Sequence, residues 1–141
     1  MKGFLIDTNV PSELTKERPD PRVASFLLNA DKSLLHISVM TIGEIRKGIE
    51  ALTDGAKKNS LKYWLKQDVR LWFAERILPV TEEIAERWGS ISAAVKRRGG
   101  TLSVVDGLMA ATAIEYKLTV VTRNVKDFSE LNTELFNPWE R

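Results

Sequence analysis

"FLIDTN", residues 4–9, runs a short apolar segment directly into an acid. Phe4, Leu5 and Ile6 read as a buried strand, and Asp7 follows at once. Interiors tolerate a carboxylate only when it is paired, hydrogen-bonded or bound to a metal. In an open α/β sheet, ligands bind beyond the carboxyl ends of the strands. Asp7 therefore marks both the end of a strand and the edge of a candidate site, provided that the rest of the chain supplies such a sheet.

The rest of the chain alternates strand-like and helix-like runs, the pattern of a parallel sheet covered by helices. "GFLID" (3–7), "SLLHISV" (33–39), "RILPV" (76–80) and "LTVVT" (118–122) read as strands, with "ELFNPW" (134–139) as a short edge strand. After the turn-rich "TKERPDPR", Val23, Phe26, Leu27 and Ala30 recur at helical spacing. A helix is expected from about 42 to 51, and a long one from about 57 to 74 carrying Leu61, Trp64, Leu65, Val69 and Trp72 on one stripe. Ile84, Trp88, Ile91 and Val95 mark another helix, stopped by Gly99-Gly100. "VVDGLMAATAIEYK" (104–117) is apolar on nearly every side and belongs at the centre. Trp64, Trp72 and Trp88 sit in these stripes as packing residues, not as a base-stacking platform.

With 141 residues and no linker, repeat or low-complexity tract, the chain suits one domain over 1–141. It is 43% hydrophobic and 28% charged, as expected of a globular protein. The absence of Cys excludes disulfides, thiolate metal sites and Cys nucleophiles, and a single His, His36, excludes a multi-histidine metal centre. His36 lies inside a strand pattern and reads as a packing residue. No apolar run approaches a membrane span, and no leader pattern precedes the first strand, so a cytoplasmic protein is expected. A net charge of +2 permits a polyanionic partner without requiring one. The pairs Arg46-Lys47, Lys57-Lys58 and Arg97-Arg98 read as solvated helix faces.

Polar groups then gather where the strands end. Asp7 ends the first strand, and Glu44 lies in the first turn after the second. Asp106 begins the central helix, and Asn124 and Asp127 follow "LTVVT". Each has a purely structural reading. "TIGE" (41–44) and "SVVD" (103–106) resemble capping boxes with Thr41 and Ser103 as caps, and Asp7 and Asp127 suit turns. Capping explains each acid alone but not the convergence of all of them on one edge of a parallel sheet. Crowded carboxylates repel, and a divalent cation removes that cost. Only oxygen donors are available, so the ion is expected to be Mg²⁺ or Mn²⁺. Such a site suits phosphodiester chemistry.

"FLIDTNVPSEL", "SVMTIGEIRKGIE", "VVDGLMAATAIEYKLTVVTRNVKDF" and "FNPWE" together resemble the PIN-domain ribonucleases, specifically the VapC- and FitB-like toxins of toxin–antitoxin pairs. The resemblance spans essentially the whole chain. It implies a three-layer α/β/α fold with a central, mainly parallel sheet of four to five strands. It also implies RNA cleavage with Mg²⁺ or Mn²⁺ held by Asp7, Glu44 and Asp106. Thr8, Asn9 and Thr122 fall in supporting places. A fourth acid usually follows the last core strand in a "T-x-D" element; here that place is Asn124, with Asp127 three residues later, and either residue is open as the fourth ligand. The implied partners are RNA, a second copy of the chain, and a small DNA-binding antitoxin (VapB/FitA-like) in a hetero-oligomer. The antitoxin would lie along a groove walled by the helices of about 41–74.

Rival readings fit less well. A phosphoacceptor receiver needs an acidic pair at the first strand and an Asp at the third, and a dehalogenase-like phosphatase wants Asp where Asn9 stands. No glycine-rich phosphate loop follows any strand. A catalytically silent PIN-fold module that only binds RNA or antitoxin is the alternative of another class, against which the three principal acids count.

Overall fold

The computed structural model describes residues 3–140. Five strands, β1 (Phe4–Ile6), β2 (Leu35–Ser38), β3 (Ile77–Leu78), β4 (Thr119–Val121) and β5 (Leu135–Phe136), form one sheet in the order β3-β2-β1-β4-β5. Every neighbouring pair is parallel. The expected mainly parallel sheet is thus wholly parallel, and its strands are shorter than the apolar runs that announce them. Strand order reverses between β1 and β4, which makes that seam the topological switch point where such sheets bind ligands.

Two helical layers cover the sheet, and the strands show why. Leu5 and Val120 face one core with Val95, Met109, Ala110, Ala113, Phe128 and Leu131. Their neighbours Ile6 and Val121 face the other, with Val23, Leu27, Ile45 and Phe73. Side chains alternate across a strand, so apolar residues at successive positions need cover on both faces. Helices α1 (Asn9–Glu13), α2 (Pro21–Asn29), α3 (Val39–Glu50), α4 (Ala56–Tyr63) and α5 (Arg70–Phe73) lie on the Ile6 side. Helices α6 (Glu82–Arg97), α7 (Val104–Tyr116) and α8 (Val125–Phe128) lie on the Leu5 side. The all-round apolar character of α7 is explained by burial of Gly107, Met109, Ala110, Ala111, Thr112 and Ala113. No helix among the described residues is long and apolar enough to cross a membrane.

Three local expectations need correction. First, α3 starts earlier than residue 42, and its cap is Ser38, whose hydroxyl accepts from the Met40 N–H at 3.0 Å. Thr41 is fully buried and lies against the Met109 sulfur. Glu44 accordingly sits in the second turn of α3, and the capping-box reading of "TIGE" falls, whereas Ser103 does cap α7 by accepting from the Asp106 N–H at 3.1 Å. Second, the long helix of 57–74 is interrupted by a π segment, Trp64–Val69. Leu61, Leu65, Val69 and Phe73 are spaced four apart, and on an α-helix each such step drifts by about 40°. The wider turn offsets that drift, and Leu65, Val69 and Phe73 are all buried. Third, Lys58 is buried rather than solvated, with its ammonium 3.2 Å from Asp54 and 3.6 Å from Glu50.

His36 is half-buried, its Nδ1 near the Leu34 and Phe4 carbonyls at 3.1 and 3.3 Å. Trp72 stacks on Phe73, and Trp88 lies against Gly107, in keeping with packing roles. That last contact sets a test. A Cβ at Gly107 would stand 2.7 Å from the Trp88 ring, too close for either to keep its place. Gly107→Ala is therefore expected to destabilise the protein by about 1–3 kcal/mol, read from the midpoint of urea unfolding.

Candidate active site

The buried end of β1 is organised around the carboxylate of Asp7, which is 7% exposed. The Asp7 N–H continues the β1–β4 ladder by donating to the Val121 carbonyl at 2.9 Å. Its side chain accepts from the Thr8 N–H at 2.8 Å, from the Thr122 hydroxyl at 2.7 Å and from the Asn9 amide at 3.4 Å. Thr122 is fully buried, and its oxygen also accepts from the Asn124 N–H at 3.0 Å. One hydroxyl thus ties the end of β1 to the start of the loop after β4.

Glu44 comes from α3, where it is half-buried, and accepts from the Thr8 hydroxyl at 2.6 Å. Thr8 therefore serves two acids, Asp7 through its backbone and Glu44 through its side chain. Asp106 lies in the first turn of α7, half-buried beside its cap Ser103. Asp127 lies in the first turn of α8 and is exposed. Both line a cavity of about 510 Å³ walled by the C-terminal end of α6, the start of α7 and helix α8. Asn124 caps α8 without a side-chain cap bond and is exposed.

Electrostatics shows that these acids share one field. Burial pushes the Asp7 carboxyl above the usual carboxylate range, the bonds from Thr122 and Thr8 oppose that, and the charges of Glu44 and Asp127 add to it. Burial also raises Asp106, against its bond with Ser103, and the charges of Asp7 and Asp127 raise it further. Among the described residues, none of the four forms an ion pair with Lys or Arg. Nor do any three His, Cys, Asp or Glu side chains among them come together as a ready metal-binding group. Asp7 and Glu44 are held instead to the hydroxyls of Thr122 and Thr8. A donor set of oxygens alone, with Asp7 and Asp106 raised by neighbouring carboxylate charge as well as burial, fits a hard divalent ion, which commonly keeps several waters between itself and its protein ligands.

Sequence reasoning missed two participants of this region. Arg46, two residues after Glu44, pairs with an acid of its own helix, Glu50, at 2.7 Å. Arg98 and Lys126 line the same cavity as Asp106 and Asp127, and no local pattern joins them. The raised carboxyls carry a sign. The folded state holds the Asp106 proton more tightly than the unfolded chain does, so stability falls as pH climbs from about 4 through the raised range. Without divalent ions, Asp106→Asn is expected to melt a few degrees above the parent near pH 7, the gap closing below pH 4, as followed by circular dichroism.

A family model described as PIN domain matches residues 4–133. The toxin FitB of Neisseria gonorrhoeae is 38% identical over 136 residues, covering 96% of this chain and 98% of that one. The VapC ribonuclease Y4jK of Sinorhizobium fredii is 31% identical over 137 residues, covering 97% and 98%. Among solved structures, FitAcB from Neisseria gonorrhoeae superposes with a TM-score of 0.92 at 37% identity, over 98% of this chain and 99% of that one. DNA-bound VapBC from Salmonella typhimurium superposes at 0.75 with 26% identity, over 98% and 99%. The match over nearly the whole length, on a sheet of the same kind, identifies the chain as a PIN-domain protein of the VapC/FitB type, the toxin class of toxin–antitoxin systems.

Proposed function

We propose that this chain is an endoribonuclease toxin that hydrolyses RNA phosphodiester bonds with Mg²⁺ or Mn²⁺ held by Asp7, Glu44 and Asp106, Asp127 completing the acidic set. The observation that carries the reading is four carboxylates from four separate elements sharing one field at a switch point, with no cationic partner among the described residues. Packing gains nothing from that arrangement, since two of these groups resist ionisation where they stand. A bound divalent ion would activate water and offset charge on the scissile phosphate. The VapC relatives carry the name ribonuclease, which supports RNA as the substrate.

The chain's own residues prepare this chemistry. Thr122 and the Thr8 N–H fix the oxygens of Asp7, and the Thr8 hydroxyl fixes Glu44. Asn124 stands where the family has its fourth acid, and it is neutral. Asp127 supplies the missing charge in our reading, because that charge reaches both Asp7 and Asp106. Protons on Asp7 and Asp106 compete with the cation, so ion affinity rises with pH through the raised carboxyl range.

The partner reading follows from the solved relatives, which include toxin–antitoxin complexes. Beside Thr8 and Glu44 runs a groove of about 390 Å³ whose wall includes Ile45, Ile49, Leu61 and Trp64. An amphipathic antitoxin helix would lie there in the helix-in-groove manner, in a hetero-oligomer built on a toxin homodimer.

The purified chain is expected to cut RNA with Mg²⁺ or Mn²⁺ and to stop with EDTA. Asp7→Asn is expected to lower the rate by about 10²-fold or more, with the fold retained and the cation-dependent rise in melting temperature lost. Parental cleavage is expected to rise with pH through the raised range of Asp7 and Asp106 and then level off once both carboxyls are ionised. An Asp7→Asn protein cutting at the parental rate would contradict the mechanism. A parent that binds antitoxin but never cuts would favour the silent module.

A further inference from the structure

We infer that the cavity between the C-terminal end of α6 and helix α8 seats the nucleotide next to the scissile phosphate, with Arg98 and Lys126 holding its backbone. The inference rests on the ribonuclease reading and deepens it by tracing where the substrate strand runs. Two turns build the cavity. Helix α6 stops at Arg97, Gly99 takes a left-handed φ of 79°, and the Gly100 N–H closes back on the Val95 carbonyl at 3.0 Å. A Cβ at Gly100 would stand 3.1 Å from the Val95 side chain, so a small residue suits the return of the loop toward α7. On the other side, α8 brings Lys126 and Asp127 to the same cavity.

The lining carries both signs of charge. Asp106, Asp127 and Glu130 stand with Arg98 and Lys126, and buried Leu131 gives an apolar surface. A lone anion has little reason to enter beside three acids. A strand carrying regularly spaced phosphates does, since one phosphate lies over the cation-loaded acids and the next reaches the two basic groups. A helix end accounts for Arg98, the residue capping the C-terminus of α6. It does not account for Lys126, in a helix of four residues. Among the described residues, neither forms an ion pair.

The test uses a labelled RNA dodecamer bound in the Asp7→Asn background, where cleavage is slower by about 10²-fold or more, with Mg²⁺ at a series of salt concentrations. Arg98→Ala with Lys126→Ala is expected to weaken binding about tenfold and to reduce the slope of log affinity against log salt by about 0.7 per lost contact. With cleavable RNA the same variant should raise KM and leave kcat near the parental value. The exchange Arg98→Lys with Lys126→Arg should restore both, and Lys32→Ala, before β2 at the opposite end of the strands, should change neither. Parental affinity and slope in the double alanine variant, with Asp7-dependent cleavage intact, would overturn this inference and leave the ribonuclease reading standing. A parent that fails to cleave in an Asp7-dependent manner would overturn both.

Discussion

A buried carboxylate held across the seam of β1 and β4 is the constraint on which the rest of the molecule turns. Asp7 costs free energy where it sits, and the Thr122 hydroxyl, the Thr8 N–H and the Asn9 amide offset part of that cost. Those bonds in turn dictate their surroundings. Thr122 can reach Asp7 only if β4 lies beside β1 in the observed register, Ile6 against Val121. Thr8 can hold Glu44 only if α3 starts at the end of β2. The fold and the site are in this sense the same set of contacts.

Parallel topology explains why acids from distant parts of the chain share a field. Each of β1, β2 and β4 ends at the same edge, and the loop or helix that follows begins there. Asp7, Glu44 and Asp127 are three outcomes of that one geometric fact, and Asp106 joins them because α7 crosses the sheet on its way to β4. Mutual repulsion among such groups is normally relieved by protonation or by a cation. The absence of Lys and Arg partners among the described residues leaves the second route open. The hydroxyls of Thr8 and Thr122 steady the acids without neutralising them, which keeps their charge for a ligand.

Much of this was legible in the residues, and the failures have definite causes. Strands declared themselves because a doubly covered sheet demands continuous apolar runs, as in "FLI" and "TVV". Helix α7 declared its burial through composition, and Ser103 declared its cap. Thr41 misled because a cap residue must be extended, and which residue is extended depends on where β2 stops pairing; Ser38 pairs with Leu78 and so takes that place. The π segment was hidden because a four-residue spacing also suits a single face of an ordinary helix over two turns. Burial of Lys58 depends on Glu50 and Asp54 closing over it, a tertiary event. Arg98 and Lys126 lie 28 positions apart on unrelated elements, and only the packing of those elements makes them neighbours of the same cavity.

The bond between Thr122 and Asp7 joins residues 115 positions apart. Contacts of that separation form late, because a long loop must close before they stabilise anything. A chain leaving the ribosome N-terminus first exposes Asp7 long before its partner has been translated. The bond that steadies the carboxylate at the end of β1 is thus absent until β4 has been made and has joined the sheet.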